Sequence, residues 1–195
     1  RIKAKGGLLI DFDLDGDLDL TYGYSDSYYF RNNNGIYQDI TDSYDIDNQG
    51  SRGMIAGDID NNGYPDIYIA NDTDRNYFYL NNGGIFDDIS FSSGTAFNKD
   101  GIPEGGMGVD IADYNKDGWL DIFVTNTETN TLYKSLGDGT FTDISEEASL
   151  GGVSASLVGF GTKFFDYDND GELDIFVANG DVQEFIDPNT KNRSK

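Results

Sequence analysis

The stretch Asp113–Thr125, DYNKDGWLDIFVT, joins an acidic nonapeptide to a short apolar run. It recurs as DFDLDGDLDLTY from Asp11, DIDNNGYPDIYIA from Asp58 and DYDNDGELDIFVA from Asp166. Each nonapeptide obeys D-x-[DN]-x-[DN]-G-x-x-D, with oxygen-bearing side chains at positions 1, 3, 5 and 9 and a glycine at position 6. A hard cation such as Ca²⁺ takes about six to eight oxygens at roughly 2.3–2.6 Å, and alternate side chains of a tightly curled loop can surround one ion. The glycine permits the sharp reversal that a residue with a Cβ resists. Four calcium ions are therefore expected, held by Asp11, Asp13, Asp15 and Asp19, by Asp58, Asp60, Asn62 and Asp66, by Asp113, Asn115, Asp117 and Asp121, and by Asp166, Asp168, Asp170 and Asp174.

An EF-hand loop opens in the same way but needs a bidentate glutamate at position 12 and a helix on either side. Position 12 is Tyr22, Ile69, Val124 and Val177, none of which binds a metal. The runs after position 9 are short, β-branched or aromatic, and three end at asparagine, which favours buried strands. Each loop thus reads as a calcium-filled turn that enters a strand.

The loops sit in a longer repeat. Their first aspartates lie 47, 55 and 53 residues apart, a period that signals propellers and solenoids. Five residues before each stands a glycine, Gly6, Gly53, Gly108 and Gly161; thirteen after stand Asn71, Asn126 and Asn179, with Tyr24 in the first copy. Further on, YYFRNNNGIYQDIT from Tyr28, YFYLNNGGIFDDIS from Tyr77 and TLYKSLGDGTFTDIS from Thr131 each carry an aromatic strand, an Asn/Gly turn and an aromatic-x-Asp-Ile strand. Those are hairpins by their turn chemistry. Four antiparallel strands per repeat make the blade of a β-propeller, with a solenoid as the alternative. The expected fold is all-β: one partial propeller over 1–195, with repeats near 6–50, 51–104, 105–150 and 151–195. The fourth lacks a hairpin after Gly180, so about three and a half blades are visible. The chain is then part of a larger propeller or of one completed between molecules, with Arg1–Lys5 as a candidate donor strand.

Segments such as GMGVDIADYNKDGWLDIFVTN, NTLYKSLGDGTFTDIS and GFGTKFFDYDNDGELDIFVANG resemble the FG-GAP or VCBS repeat propellers, which include integrin alpha-subunit heads, and in particular the secreted bacterial relatives of cartilage acidic protein. The resemblance covers nearly residues 6–180. It implies a ring usually of about seven blades and calcium held by the side chains at positions 1, 3, 5 and 9 plus the carbonyl at position 7. Here those carbonyls belong to Asp17, Tyr64, Trp119 and Glu172.

Composition narrows the function. The formal net charge is −23, from 36 acidic against 13 basic residues; four divalent ions would add eight positive charges and leave −15. Such acidity excludes nucleic acid as a partner, because phosphate binding needs a basic face. No stretch reaches the roughly 20 apolar residues of a membrane-spanning helix, so no direct membrane insertion is expected. With neither His nor Cys, the chain lacks the commonest general base and the thiol nucleophile. Carboxylates outside the loops, such as Glu104, Glu128, Asp181 and Glu184, read as solvated loop charges, and the ions as structural braces. Tyr37, Phe86 and Phe141 read as blade-to-blade packing, and Asn71, Asn126 and Asn179 as turn residues. The expected function is a non-catalytic, calcium-binding extracellular module for adhesion, recognition or structural assembly. Its partners would be a protein or glycan, presented with loops Asp72–Asn76, Asn126–Asn130 and 180–183, or copies of itself. The alternative is a calcium-dependent polysaccharide-active enzyme or a lectin-like glycan-binding domain.

Overall fold

A computed structural model describes residues 6–23, 27–43, 51–150 and 157–180. Three four-stranded antiparallel meanders follow one another: β1 (Gly6–Ile10), β2 (Asp19–Gly23), β3 (Ser27–Asn33) and β4 (Ile36–Asp39); β5 (Ser51–Gly57), β6 (Asp66–Asn71), β7 (Tyr77–Asn81) and β8 (Phe86–Asp88); and β9 (Gly108–Ala112), β10 (Asp121–Thr125), β11 (Thr131–Ser135) and β12 (Phe141–Asp143). A fourth sheet pairs β13 (Val158–Phe165) with β14 (Asp174–Gly180). Between β8 and β9 lies a single helical turn, α1 (Ser90–Ser93), which the sequence reading did not anticipate. Among the described residues no helix is long and apolar enough to cross a membrane. Arg1–Lys5, Tyr24, Asp181, Glu184 and most of the loop 180–183 lie outside the described residues.

Every acidic nonapeptide bridges the first two strands of its sheet in one register. The residue before position 1 pairs with position 9: Ile10 with Asp19, Gly57 with Asp66, Ala112 with Asp121 and Phe165 with Asp174. The hairpin turns follow their chemistry. Asn34 and Gly35 carry φ of 53° and 86°, the paired left-handed conformation whose twist matches the flanking strands.

The sheets stack face to face like the blades of a propeller, with first strands β1, β5, β9 and β13 neighbouring one another in succession. Alternation along the second strand sends side chains to opposite faces. Ile67 and Ile69 pack on Ile10, Phe12 and Tyr29 of the first sheet, while Tyr68 and Ala70 pack on Ile122, Val124 and Tyr133 of the third. Phe123 turns the other way, to Phe164 of the fourth. The row of described sheets does not close on itself, so an all-β, incomplete propeller is what the chain forms. The repeat glycine permits this stacking: a Cβ on Gly53 would lie 2.9 Å from the Met107 carbonyl oxygen, and one on Gly108 would lie 2.5 Å from that of Phe160.

Two of the three aromatics expected between blades are there. Phe86 meets Phe12 and Phe141 meets Phe78, at 5.8 and 6.0 Å between ring centres. Tyr37 is a correction: it is 46% exposed and its hydroxyl donates to the Leu18 carbonyl of its own blade. Phe86 and Phe141 each reach back to the preceding blade, and no described blade precedes the first.

Candidate metal centre

The loops are built by their own carboxylates. The position 1 aspartate accepts the N–H groups of positions 5 and 6: Asp11 from Asp15 and Gly16 at 3.1 and 2.9 Å, Asp113 from Asp117 and Gly118 at 2.9 Å each, and Asp166 from Asp170 and Gly171 at 3.1 and 2.9 Å. Asp58 accepts from Gly63 at 3.0 Å. Position 5 then accepts the position 7 N–H, as from Asp17, Tyr64, Trp119 and Glu172 onto Asp15, Asn62, Asp117 and Asp170. The glycine expectation holds, with φ between 88° and 97° at Gly16, Gly63, Gly118 and Gly171. Position 4 is left-handed too, at Leu14, Asn61, Lys116 and Asn169.

Position 9 does more than the sequence suggested. Asp19, Asp66 and Asp121 are 0% exposed. One oxygen of Asp66 accepts Ile59 N–H and the other Asn81 N–H, each at 2.8 Å; Asp19 holds Phe12 and Asn32 in the same way, and Asp121 holds Ser135. Asp174 holds Tyr167 at 2.8 Å. Asp19, Asp66 and Asp121 thus clamp their loops to the third strand, while the bond described for Asp174 stays within its own loop. Burial pushes the Asp66 and Asp121 carboxyls up to about 6, and also raises Asp19. Partners Asn32, Asn81 and Ser135 were missed. Their signal was present, since Asn81 and Ser135 end the third strand of their repeats and Asn32 stands one residue before the end of its own. Asn81 also crosses between blades, donating to the Phe12 carbonyl at 2.7 Å.

Ligand oxygens converge. Asp11, Asp13 and Asp15, then Asp58, Asp60 and Asp66, then Asp166, Asp168 and Asp174 each bring three carboxylate oxygens within 4.8 Å of one another. Asp113, Asp117 and Asp121 of the third loop do not form such a trio, and neither Asp19 nor Asp170 joins those of its own loop. Asp13 Oδ1, Asp58 Oδ1 and Asp121 Oδ2 are buried and have no hydrogen-bond partner. Buried acceptors left unpaired are costly, and clustered carboxylates more so. A hard divalent cation removes both costs, so the residues present fit calcium. Successive loops also touch: Asn61 donates to the Gly118 carbonyl at 3.2 Å, and Lys116 pairs with Glu172 at 2.6 Å.

By strand direction, the connections Asp72–Asn76 and Asn126–Asn130 lie at the other end of the blades, which separates them from the acidic loops. They sit side by side because the segment before β9 is threaded between them. Thr73 N–H donates to the Glu104 carbonyl and Thr127 N–H to that of Gly105, at 3.0 and 3.1 Å. Together they line a cleft of about 600 Å³ with Asn98, Ile102 and Asp143. Glu104 is not a solvated charge: its carboxylate accepts from Thr131 and Asn126, and burial raises its pKa. Glu128 is exposed, as expected. Asn71 ends β6 and Asn126 follows β10, and both tie the turns after them, donating to the Arg75 and Thr129 carbonyls at 2.7 and 2.9 Å.

Known proteins share this architecture. Cartilage acidic protein 1 of Xenopus tropicalis is 32% identical over 136 residues, covering 67% of this chain and 20% of that protein. The chain therefore spans about a fifth of that relative's length. A lectin of Agrocybe aegerita, solved for its recognition of non-reducing terminal N-acetylglucosamine, superposes with a TM-score of 0.50 at 22% identity, over 91% of this chain and 47% of the lectin. At that identity the likeness shows the fold alone. The FG-GAP-like repeat matches three times, over residues 11–69, 58–124 and 113–177, each match running from one acidic loop to the strand after the next, and the chain therefore belongs to the FG-GAP-like repeat family.

Proposed function

We propose that residues 1–195 form one calcium-braced portion of a β-propeller that serves extracellular recognition, adhesion or assembly and carries no catalysis. Calcium is the cofactor, about four ions, with the sixteen loop side chains and the carbonyls of Asp17, Tyr64, Trp119 and Glu172 as its ligands. The observation that carries this reading is the convergence of three carboxylates in each of the first, second and fourth loops, with buried, unpaired oxygens at Asp13, Asp58 and Asp121. Bound there, the ions would hold each first strand to its second and leave the far-end connections free to meet a partner. Melting with and without excess chelator at constant ionic strength tests this reading. Calcium at about 100 times its dissociation constant adds roughly 2.7 kcal/mol per site, so the midpoint falls sharply on chelation. An unchanged midpoint refutes the calcium role.

Glycan binding is the second reading, favoured by the cleft beside Glu104 and by the lectin of like fold. Titration with N-acetylglucosamine oligomers, comparing wild type with Glu104→Gln, tests it. Saturable binding weakened by the substitution supports a lectin-like site.

A further inference from the structure

Charge counting ranks the first loop among the tightest. Its four side-chain ligands are all aspartates, as in the fourth loop, whereas the second and third each contain an asparagine. The first loop differs in one respect: a guanidinium is already seated in it. Arg31 Nε lies 3.0 Å from Asp13 Oδ2. The head also stands 5.8 Å from the centre of the buried Phe12 ring, a cation–π contact that holds it over the loop. Arg31 projects from β3 one residue before Asn32, whose N–H is bound by Asp19, so its backbone is tied to the same loop. At the matching place, one residue before Asn81 and Ser135, stand Leu80 and Lys134. Among the described residues neither pairs with a loop carboxylate, and Asp13 is alone among the proposed side-chain ligands in holding an ion pair.

We propose that Arg31 is a resident counter-cation of the first loop, which weakens calcium binding there relative to a loop of the same four aspartates without it. The inference rests on the calcium reading above. Both sides of the equilibrium shift in one direction. In the ion-free loop the guanidinium offsets repulsion among Asp11, Asp13 and Asp15. Once the loop holds a divalent ion, the same fixed charge repels it across a few ångströms. Arg31 does not occupy both oxygens of Asp13: it faces Oδ2, while Oδ1 is buried with no hydrogen-bond partner and is left for an ion. Arg31 is thus an affinity-setting residue, and the first loop fills later than the fourth.

The test is calcium titration of the intact chain against a chromophoric chelator, with bound ions counted by native mass spectrometry. Asp15→Asn identifies the binding step that belongs to the first loop. Arg31→Gln and Arg31→Met should tighten that step by about tenfold, the equivalent of roughly 1.4 kcal/mol, and leave the other steps in place. Arg31→Lys, which keeps the charge, should not tighten it. In the Asp15→Asn background the arginine substitutions should change nothing. Without calcium, Arg31→Gln should melt below wild type, and addition of calcium should raise its midpoint further than it raises that of wild type. Four bound ions with the first-loop step unchanged or weakened in Arg31→Gln overturns this inference alone. No bound calcium in wild type overturns the calcium reading with it.

Discussion

The seam between the second and third blades and the outward face of the fourth are made of the same repeat positions, yet one is sealed and the other open. Two residues past position 9 stand Tyr68, Phe123 and Phe176. The first two are 0% exposed and the last is 53% exposed. At position 2 stand Ile59 and Tyr167, 2% and 75% exposed. Local structure does not separate them, since each loop has the same register and the same left-handed positions. The neighbour does. Tyr68 has the third blade against it and Phe123 has the fourth, whereas no described blade covers Phe176. Tyr37 shows the reverse at the other end, where no described blade precedes the first. A blade is therefore apolar on both faces and completes its core only between two others, as in repeat architectures where stability resides in the interfaces.

The largest expected effect uses the pair that differs most. Phe123→Ala empties a site enclosed by Leu132 and Phe164 and should cost about 3–5 kcal/mol. Phe176→Ala, at the matching position, should cost under about 1 kcal/mol, because its side chain is already half in water. Denaturant melts of the two calcium-loaded variants read the difference. Equal losses would mean that Phe176 is covered in solution by another blade or another copy of the chain, and the comparison would then describe only these residues.

A smaller effect separates two glycines. A Cβ on Gly108 would lie 2.5 Å from Phe160 O, 2.9 Å from Thr125 Oγ1 and 3.2 Å from Gly161 Cα, so backbone must move. Gly108→Ala should cost about 1–3 kcal/mol by overpacking. Gly161 stands at the same place in its repeat, and its Cβ would meet only Ala178 Cβ at 3.9 Å. Gly161→Ala should stay within about 0.5 kcal/mol. Should both be equally damaging, a further first strand packs against β13.

Much of this was legible in the chain. The nonapeptide, its glycine and the run behind it announce a turn feeding a strand because local chemistry alone dictates that structure. The upstream glycine was visible as a repeat position, but its reason, a neighbouring backbone under 3 Å from a Cβ at Gly53 and Gly108, belongs to tertiary packing. The clamp by Asp66 and Asp121 was hidden in the same way: the pattern shows an oxygen ligand, while the bonds to Asn81 and Ser135 run to partners about fifteen residues on. Arg31 reads as an ordinary strand residue until β3 places it over Asp13. Glu104 reads as a loop charge until two turns from different blades close around it. What sequence shows well here is set within one loop or hairpin, and what it hides is set by which strand lies alongside.

The smallest expected effect concerns position 4 of the first loop, where Leu14 holds a φ of 58°. An L-residue with a branched side chain is strained in that region, while asparagine enters it readily. The second and fourth loops place Asn61 and Asn169 there, both at 61°. Asn61 gains a contact besides, donating to the Gly118 carbonyl of the following loop. Leu14 is 53% exposed, so its replacement removes little buried surface. Leu14→Asn should therefore stabilise the calcium-loaded chain by about 0.5–1 kcal/mol, read as a higher denaturant midpoint at an unchanged slope. Ion number should stay the same, because position 4 supplies no ligand. A loss of stability would mean that the Leu14 side chain is covered in solution, which places a partner against the first blade at its acidic end and narrows the contrast between the sealed seam and the open ends.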